Sequence, residues 1–398
     1  MAETILVLNA GSSSIKFQLF VVSDDESLIR RLKGQIDGIG THPHLLAKDK
    51  NGEIMIDSTW PASAVADAPA ALDKTVGWLQ QQLDGALPSV VGHRVAHGGP
   101  DFAEPTLIDD AVLDRLARLV PLAPLHQPNN LAPIRAIRAR RPELPQVACF
   151  DTAFHRGHSE AAQRYAIPDE LHRQGVRRYG FHGLSYEFIA ASLPRVAPAI
   201  AEGRVVVAHL GSGASMCAID SGRSIDSTMG FTALDGLPMG TRTGQIDPGV
   251  LLYLLATKSW DVARLERFLY QECGLKGLSG VSNDMRDLLA SEAPLAKIAV
   301  DYFVYRIVRE TAALAAAMGG IDGFVFTGGI GENAATIRGR VCEGLAWLGL
   351  AFDATANARN GPRISTADSR LSAWVIPTDE ERMIARHTHA VSRRRTAG

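Results

Sequence analysis

Glycine and serine meet between two apolar stretches twice in this chain, in ILVLNAGSSSIKFQLF (residues 5–20) and VVVAHLGSGASMCAID (residues 205–220), with Gly11 and Gly211 separated by 200 positions. A turn without bulky side chains presents several backbone N–H groups and hydroxyls on one concave surface, which suits phosphate oxygens. One such hairpin is usually only a hairpin; two suggest two related domains facing a phosphorylated ligand. A third glycine turn, TGGIGEN (Thr327–Asn333), follows an apolar run at Phe324–Thr327 and precedes a predicted helix from Ala334. Strand, glycine loop and helix start form an arrangement that binds nucleotides; a tight turn capped by Asn333 is the simpler alternative. The loop GLPMGTRTGQIDPG (236–249), rich in Gly, Pro and polar residues, reads as a surface site. The chain has no GxxxxGK[ST] motif and no HRD, DFG or VAIK set, so the phosphates must be held by some other device than a P-loop or protein-kinase lobe.

Composition places that device locally. With 398 residues, 41 basic and 43 acidic, the formal charge is −2, which gives no global attraction to nucleic acid or to an anionic membrane. The start, MAETILVLNAG, runs straight into a strand without the basic region of a signal peptide, and no apolar stretch reaches the roughly 20 residues that span a bilayer. Cys149, Cys217, Cys273 and Cys342 show no CxxC pairing and read as reduced residues of a cytoplasmic protein. His42, His44, His158, His172, His387 and His389 lack metal-ligand spacing, and Ser392–Gly398 is expected to be a frayed basic tail.

The positioning elements follow from periodicity. Ile5–Leu8 is a continuous apolar run, whereas Ile15, Phe17 and Leu19 alternate with Lys16 and Gln18, so Lys16 is expected to point away from the core. Helices are predicted over 73–83, 109–119, 248–257, 260–272 and 294–318, the last stopped by Gly319 and Gly320. A Pro-rich passage from Pro121 to Pro133 is expected to begin irregularly, Gln146–Phe150 to form a strand, and strands to resume at Val205 after a Pro- and Ala-rich stretch.

The duplicated hairpins and late glycine loop resemble the superfamily of actin, the 70-kDa chaperones and sugar kinases. That resemblance implies an α/β fold of two ribonuclease H-like domains with an interdomain cleft that closes on ATP. The first is expected over 1–150, with 384–398 returning to it, and the second, nucleotide-binding one over 151–383. Within the superfamily, NAGSSSIKF, GHRVAHGG, APLHQP, FDTAFH, RRYGFHG, HLGSG, GLPMGTRTGQIDPG, TGGIGEN and PTDEE stand in the order seen in acetate kinases. Nine ordered segments make the chain resemble the acetate/propionate kinase family over nearly its whole length.

The resemblance implies reversible transfer of the ATP γ-phosphoryl group to a short-chain carboxylate, giving an acyl phosphate and ADP, with Mg²⁺, or Mn²⁺ in its place, and a homodimeric cytoplasmic enzyme. A carboxylate with a pKa near ~4 is already ionised at neutral pH and needs no general base; an anion approaching a polyanion needs charge neutralisation. Arg94 and Arg242 can clamp carboxylate and phosphoryl oxygens, and His182 can donate to the equatorial oxygens of an in-line transition state. Asp151 resembles the family's catalytic aspartate, orienting an arginine or the metal's water. Asn9 and Glu380 resemble the Mg²⁺ pair, with Glu381 adjacent. Lys16, Ser12, His209, Leu210, Gly211, Ser212 and Gly213 correspond to phosphate contacts; Asp284, Met285 and Arg286 to an adenosine segment; and Gly329, Ile330, Gly331, Glu332 and Asn333 to the nucleotide loop. Arg94, Ala96, Leu125, Phe181 and Ala233 correspond to contacts of the acid, while His97, His126 and His155, also in matched motifs, each suit a cleft-lining and a structural role equally.

Departures bear on the acid. The family usually has Val at the position of Ala96 and Pro at that of Ala233, and each change removes volume. One methylene in an apolar pocket is worth roughly 1–3 kcal/mol of discrimination, so propionate competes with acetate as the substrate. Ser212 replaces the usual Asn and Gln245 the usual Asp, both keeping hydrogen-bonding ability. A sugar or polyol kinase with Asp151 as base, and an ATP-gated binding protein, are the rival classes; the second would need a client-binding domain for which the chain has no spare length.

Overall fold

Apolar runs become two sheets. A computed structural model describes residues 3–11, 13–83, 85, 88–124 and 126–396, and the chain packs as two units, Met1–Ala153 with Asp379–Gly398, and Phe154–Thr378. The divisions thus fall at 153/154 and 378/379, against the 150/151 and 383/384 expected from sequence.

The first unit contains β1 (Thr4–Ala10), β2 (Ser14–Val22), β3 (Leu28–Asp37), β4 (His44–Asp49), β5 (Ile54–Thr59), β6 (Val90–Val95), β7 (Thr106–Leu107) and β8 (Gln146–Phe150), in the order β5-β4-β3-β2-β1-β6-β8-β7. β1 pairs antiparallel with β2 and parallel with β6. In the second unit β9 (Arg204–Leu210), β10 (Ala214–Asp220), β11 (Arg223–Ser227), β12 (Gly323–Thr327) and β13 (Ser372–Val375) lie in the order β11-β10-β9-β12-β13, with β9 antiparallel to β10 and parallel to β12. Without β4, β5 and β7 the first sheet reads β3-β2-β1-β6-β8, a three-stranded meander followed by two parallel strands, which is the pattern of the second. The α/β class and the duplicated ribonuclease H-like plan are therefore both present.

The two hairpins differ by one residue. Gly11 N–H donates to the Ser14 carbonyl at 2.8 Å, whereas Gly211 N–H donates to the Gly213 carbonyl at 3.0 Å. Asn9 consequently faces Lys16 across its ladder, and His209 faces Ser215. Lys16 is exposed, as its alternation requires.

Elsewhere tertiary context overrides local reading. GGIGEN is a short helix, Gly328–Asn333, rather than a loop, and the next helix starts at Ala335. The helix Gln127–Arg140 runs through Pro133, and Gly183–Val196 runs through Pro194 into the stretch read as a break. Ser392–Thr396 is not a frayed tail: it ends the helix Glu380–Thr396, where Arg393 pairs with Glu26. That helix lies against β6 so closely that a Cβ on Gly92 would fall 2.2 Å from Thr388 Oγ1.

Candidate active site

The first unit assembles one charged set from three elements. Arg94, near the end of β6, donates from Nε to Asp151 Oδ1 at 3.0 Å and from Nη2 to Oδ2 at 2.5 Å, the forked geometry that makes Arg–carboxylate pairs strong and directional. Asp151 follows β8 and is 1% exposed. Arg94 Nη1 reaches Asn9 Oδ1 at 3.4 Å, and its Nε stands 3.9 Å from Glu380. Burial works against the Arg94 charge, but Asp151 and then Glu380 outweigh it and hold the guanidinium firmly protonated. Asn9 Nδ2 donates to Glu381 Oε1 at 3.2 Å, and Gln18 Nε2 to Oε2 at 3.3 Å. Asn9 thus contacts Glu381, the neighbour of Glu380. Burial and the neighbouring Glu380 raise the Glu381 pKa, the signature of a carboxylate pair short of positive charge. Among the described residues no group of three or more His, Cys, Asp or Glu could enclose a metal. Two carboxylates and a carboxamide fit Mg²⁺, which keeps several waters and is completed by phosphate oxygens.

Beside these groups Lys16 and Glu381 border an open concavity with Lys33 and Lys48. Ala96 is buried, its N–H donating to Asn130 Oδ1 at 2.9 Å. His97 is fully buried, its Nδ1 accepting from Gly99 N–H at 2.8 Å, which makes it a support of the turn after β6. His126 is the residue before the helix Gln127–Arg140. Ser12 and Leu125 lie outside the described residues.

The second unit assembles a different set. His182 precedes the helix Gly183–Val196 with φ +55°, a left-handed conformation that a residue with a Cβ adopts at a cost. Its Nδ1 is 2.8 Å from Ser215 Oγ, which is 2.5 Å from the Tyr186 hydroxyl. The ring stacks on His209 with centroids 4.3 Å apart and planes 18° apart. His209 Nδ1 is held by Ser185 Oγ at 2.8 Å, and Ser185 donates onward to Thr378 at 2.9 Å.

A Cβ built on Gly213 would fall 2.8 Å from Arg242 Nη2 and 3.4 Å from His182 Nε2. The glycine turn is therefore the bare floor on which both donors close. Arg242 Nη1 donates to the Ala233 carbonyl at 2.8 Å. Ala233, Phe181 and Leu210 belong to one buried cluster, so Phe181 is turned into the core. Ser212 offers its carbonyl to Gly240 N–H at 3.1 Å.

The helix Gly328–Asn333 abuts the same hairpin. Gly328 has φ +76°, and a Cβ there would meet the Leu210 carbonyl at 2.8 Å; a Cβ on Gly211 would come within 3.9 Å of Gly329 N. Gly329 has open space, Gly331 and Ile330 pack inward, and Asn333 Nδ2 donates to the Gly329 carbonyl at 2.9 Å. Glu332 Oε1 accepts from Gly328 N–H at 3.0 Å and Thr378 N–H at 3.2 Å, so it ties the loop down. Underneath, the fully buried Arg338 donates to the Gly331 and Glu332 carbonyls at 3.0 and 2.8 Å. Asp284 caps the helix Met285–Ala290 and pairs with the exposed Arg286, whose hydrogen bond holds the Asp284 carboxyl at about 2. Met285 is in the core.

Ser185, Ser215, Thr378 and Arg338 escape a sequence reading. Only Ser215 leaves a signal there, as the residue opposite His209 once the hairpin register is drawn.

Duplicated ribonuclease H-like sheets with glycine cradles place the chain among actin-like ATPase folds. Residues 4–386 match the model of the acetokinase family. The chain is 61% identical to the acetate kinase of Nitrobacter hamburgensis, over 97% of this chain and 95% of that one, and 56% identical to that of Rhizobium meliloti, over 98% of each. Among solved structures it resembles a propionate kinase from Francisella tularensis (TM-score 0.90, 36% identity, 98% and 99% of the two chains) and the Porphyromonas gingivalis acetate kinase (TM-score 0.85, 36% identity, 98% and 100%). The chain belongs to the acetokinase family.

Proposed function

We propose that this protein transfers the γ-phosphoryl group of ATP to acetate, reversibly, giving acetyl phosphate and ADP. The observation that carries the proposal is the bare Gly213 floor flanked by Arg242 Nη2 and His182 Nε2, a pair of donors matched to a phosphoryl group whose equatorial oxygens gain charge in transfer. The acid arrives ionised, so none of these groups has to remove a proton. Arg242 and His182 stabilise the oxygens in flight, with Ser215 fixing the imidazole so that Nε2 is the nitrogen presented. Arg94, locked by Asp151, supplies positive charge from its remaining Nη1 edge. Asn9, Glu380 and Glu381 would hold Mg²⁺, which when bound neutralises phosphate charge. Lys16, His209–Gly213, Gly329–Asn333 and Asp284–Arg286 are assigned to ATP.

Propionate is the second reading, favoured by the small Ala96 and Ala233. Coupled assays of ADP formation with acetate, propionate and butyrate, with hydroxylamine trapping of the product, test both. A phosphorylated alcohol would give no hydroxamate and would sink the carboxylate proposal. A kcat/KM for propionate several hundredfold below that for acetate would remove the enlarged pocket, and Ala96→Val is expected to shift selectivity toward acetate.

The partner we propose is a second copy of the chain. The helix Pro248–Lys258 buries none of its residues, and Leu252, Tyr253 and Tyr305 are 67%, 59% and 61% exposed, an apolar surface of the kind a monomer seldom leaves open. The cytoplasm is the compartment proposed, in keeping with four cysteines that form no disulfide.

A further inference from the structure

The reactive-looking side chains His155, His158, Ser224 and Cys217 cluster in the second unit without reaching solvent. All four are buried, so they form no second catalytic centre. Their hydrogen bonds run in one direction. His155 Nε2 lies 2.9 Å from the Phe181 carbonyl, which can only accept, so Nε2 carries the proton. Its Nδ1, 2.8 Å from Ser224 Oγ, therefore accepts the serine proton. Ser224 Oγ in turn takes His158 Nε2–H at 2.7 Å, with Cys217 Sγ at 3.2 Å. Burial holds His155 at about 4 and His158 at about 3, so both rings stay neutral and the tautomers are fixed.

The Phe181 carbonyl is the one immediately before His182. Gly180 has φ +77° and a Cβ there would lie 2.6 Å from the His155 ring; His182 has φ +55°. The chain therefore bends twice into the left-handed region around a carbonyl pinned by His155. Ser215 and His209 hold the ring of His182, and Tyr186 N–H holds its carbonyl at 3.1 Å; on the other side of the residue, the peptide that enters it is held at the Phe181 carbonyl by His155.

We propose that His155 is a positioning residue for phosphoryl transfer: by donating to the Phe181 carbonyl, oriented by Ser224, it fixes the strained backbone that aims His182 Nε2 over Gly213. The inference rests on His182 being catalytic, as proposed above.

The conservative pair His155→Gln and His155→Asn separates this role from packing. The longer amide can place an N–H where Nε2 stands, whereas the shorter one can replace only Nδ1. His155→Asn is expected to lose about 10- to 100-fold in kcat, the scale of a misplaced catalytic group, with KM for ATP and for acetate within about threefold, while His155→Gln stays within about threefold of the parent in all three. The proposal is overturned if both variants keep kcat, if both lose it equally, or if His155→Asn raises the KM values with kcat intact. Should His155→Asn not fold, Ser224→Ala decides, with lowered kcat at constant KM supporting the role and unchanged kcat refuting it. His182→Ala is the separate control: an unchanged kcat there would bring down the assignment of His182 itself.

Discussion

Arg242 and His182 converge on a glycine whose missing Cβ leaves room for their donor atoms, and the cost of removing either should appear in turnover more than in binding. Arg242→Ala is expected to lower kcat by about 100-fold or more, measured by ADP release at saturating acetate; near-normal turnover would exclude it from the site. Three buried histidines make a different prediction. His93 and His155 are held at about 4 and His158 at about 3, chiefly by burial. The unfolded chain takes up protons on them below about pH 6.5 while the folded one does not, so stability falls as pH drops from about 6.5 toward about 4, by at most about 1.4 kcal/mol per pH unit for each ring. Urea titrations at pH 7 and 5 should show this slope, and His93→Gln should make it shallower, since Gln cannot titrate.

At the scale of elements, the segment Gly328–Asn333 shows where residue propensity stops being informative. Hairpins, the strand Gln146–Phe150 and the helix Pro294–Ala317 are legible because apolar spacing and glycine stops decide them within a few residues. GGIGEN has three glycines that favour a loop, yet it is helical because Glu332, inside the segment, holds its first N–H and Arg338, on the helix that follows, holds the Gly331 and Glu332 carbonyls, side-chain contacts that a count of glycines does not reveal. Pro133 and Pro194 are similar cases, tolerated because their helices are packed. The site divides the same way. Arg94, Asp151, His182 and Arg242 stand in motifs, whereas Ser185 and Thr378 meet across a long chain separation and Arg338 acts from the helix that follows the segment it holds. Arg338→Leu should therefore weaken the loop: a loss of about 2–4 kcal/mol in stability by denaturant unfolding, with a raised KM for ATP and a smaller change in KM for acetate.

For the molecule as a whole, the exposed apolar helix Pro248–Lys258 predicts assembly. Leu252→Glu is expected to shift the mass measured by light scattering from that of two chains to that of one, while far-UV circular dichroism stays native; a parent protein that is already monomeric would refute the proposed homodimer.

The first unit is discontinuous, closed by the helix Glu380–Thr396 after the entire second unit has intervened. During synthesis Arg94 and Asp151 emerge early, but the two carboxylates that face them arrive only after Phe154–Thr378 has been made. Until residues 380–396 clear the ribosome, β6 lacks its cover and Asn9 its acidic companion. A translating chain therefore cannot bring Asn9 together with Glu380 and Glu381, the three residues proposed above for Mg²⁺, before its whole second unit has been made.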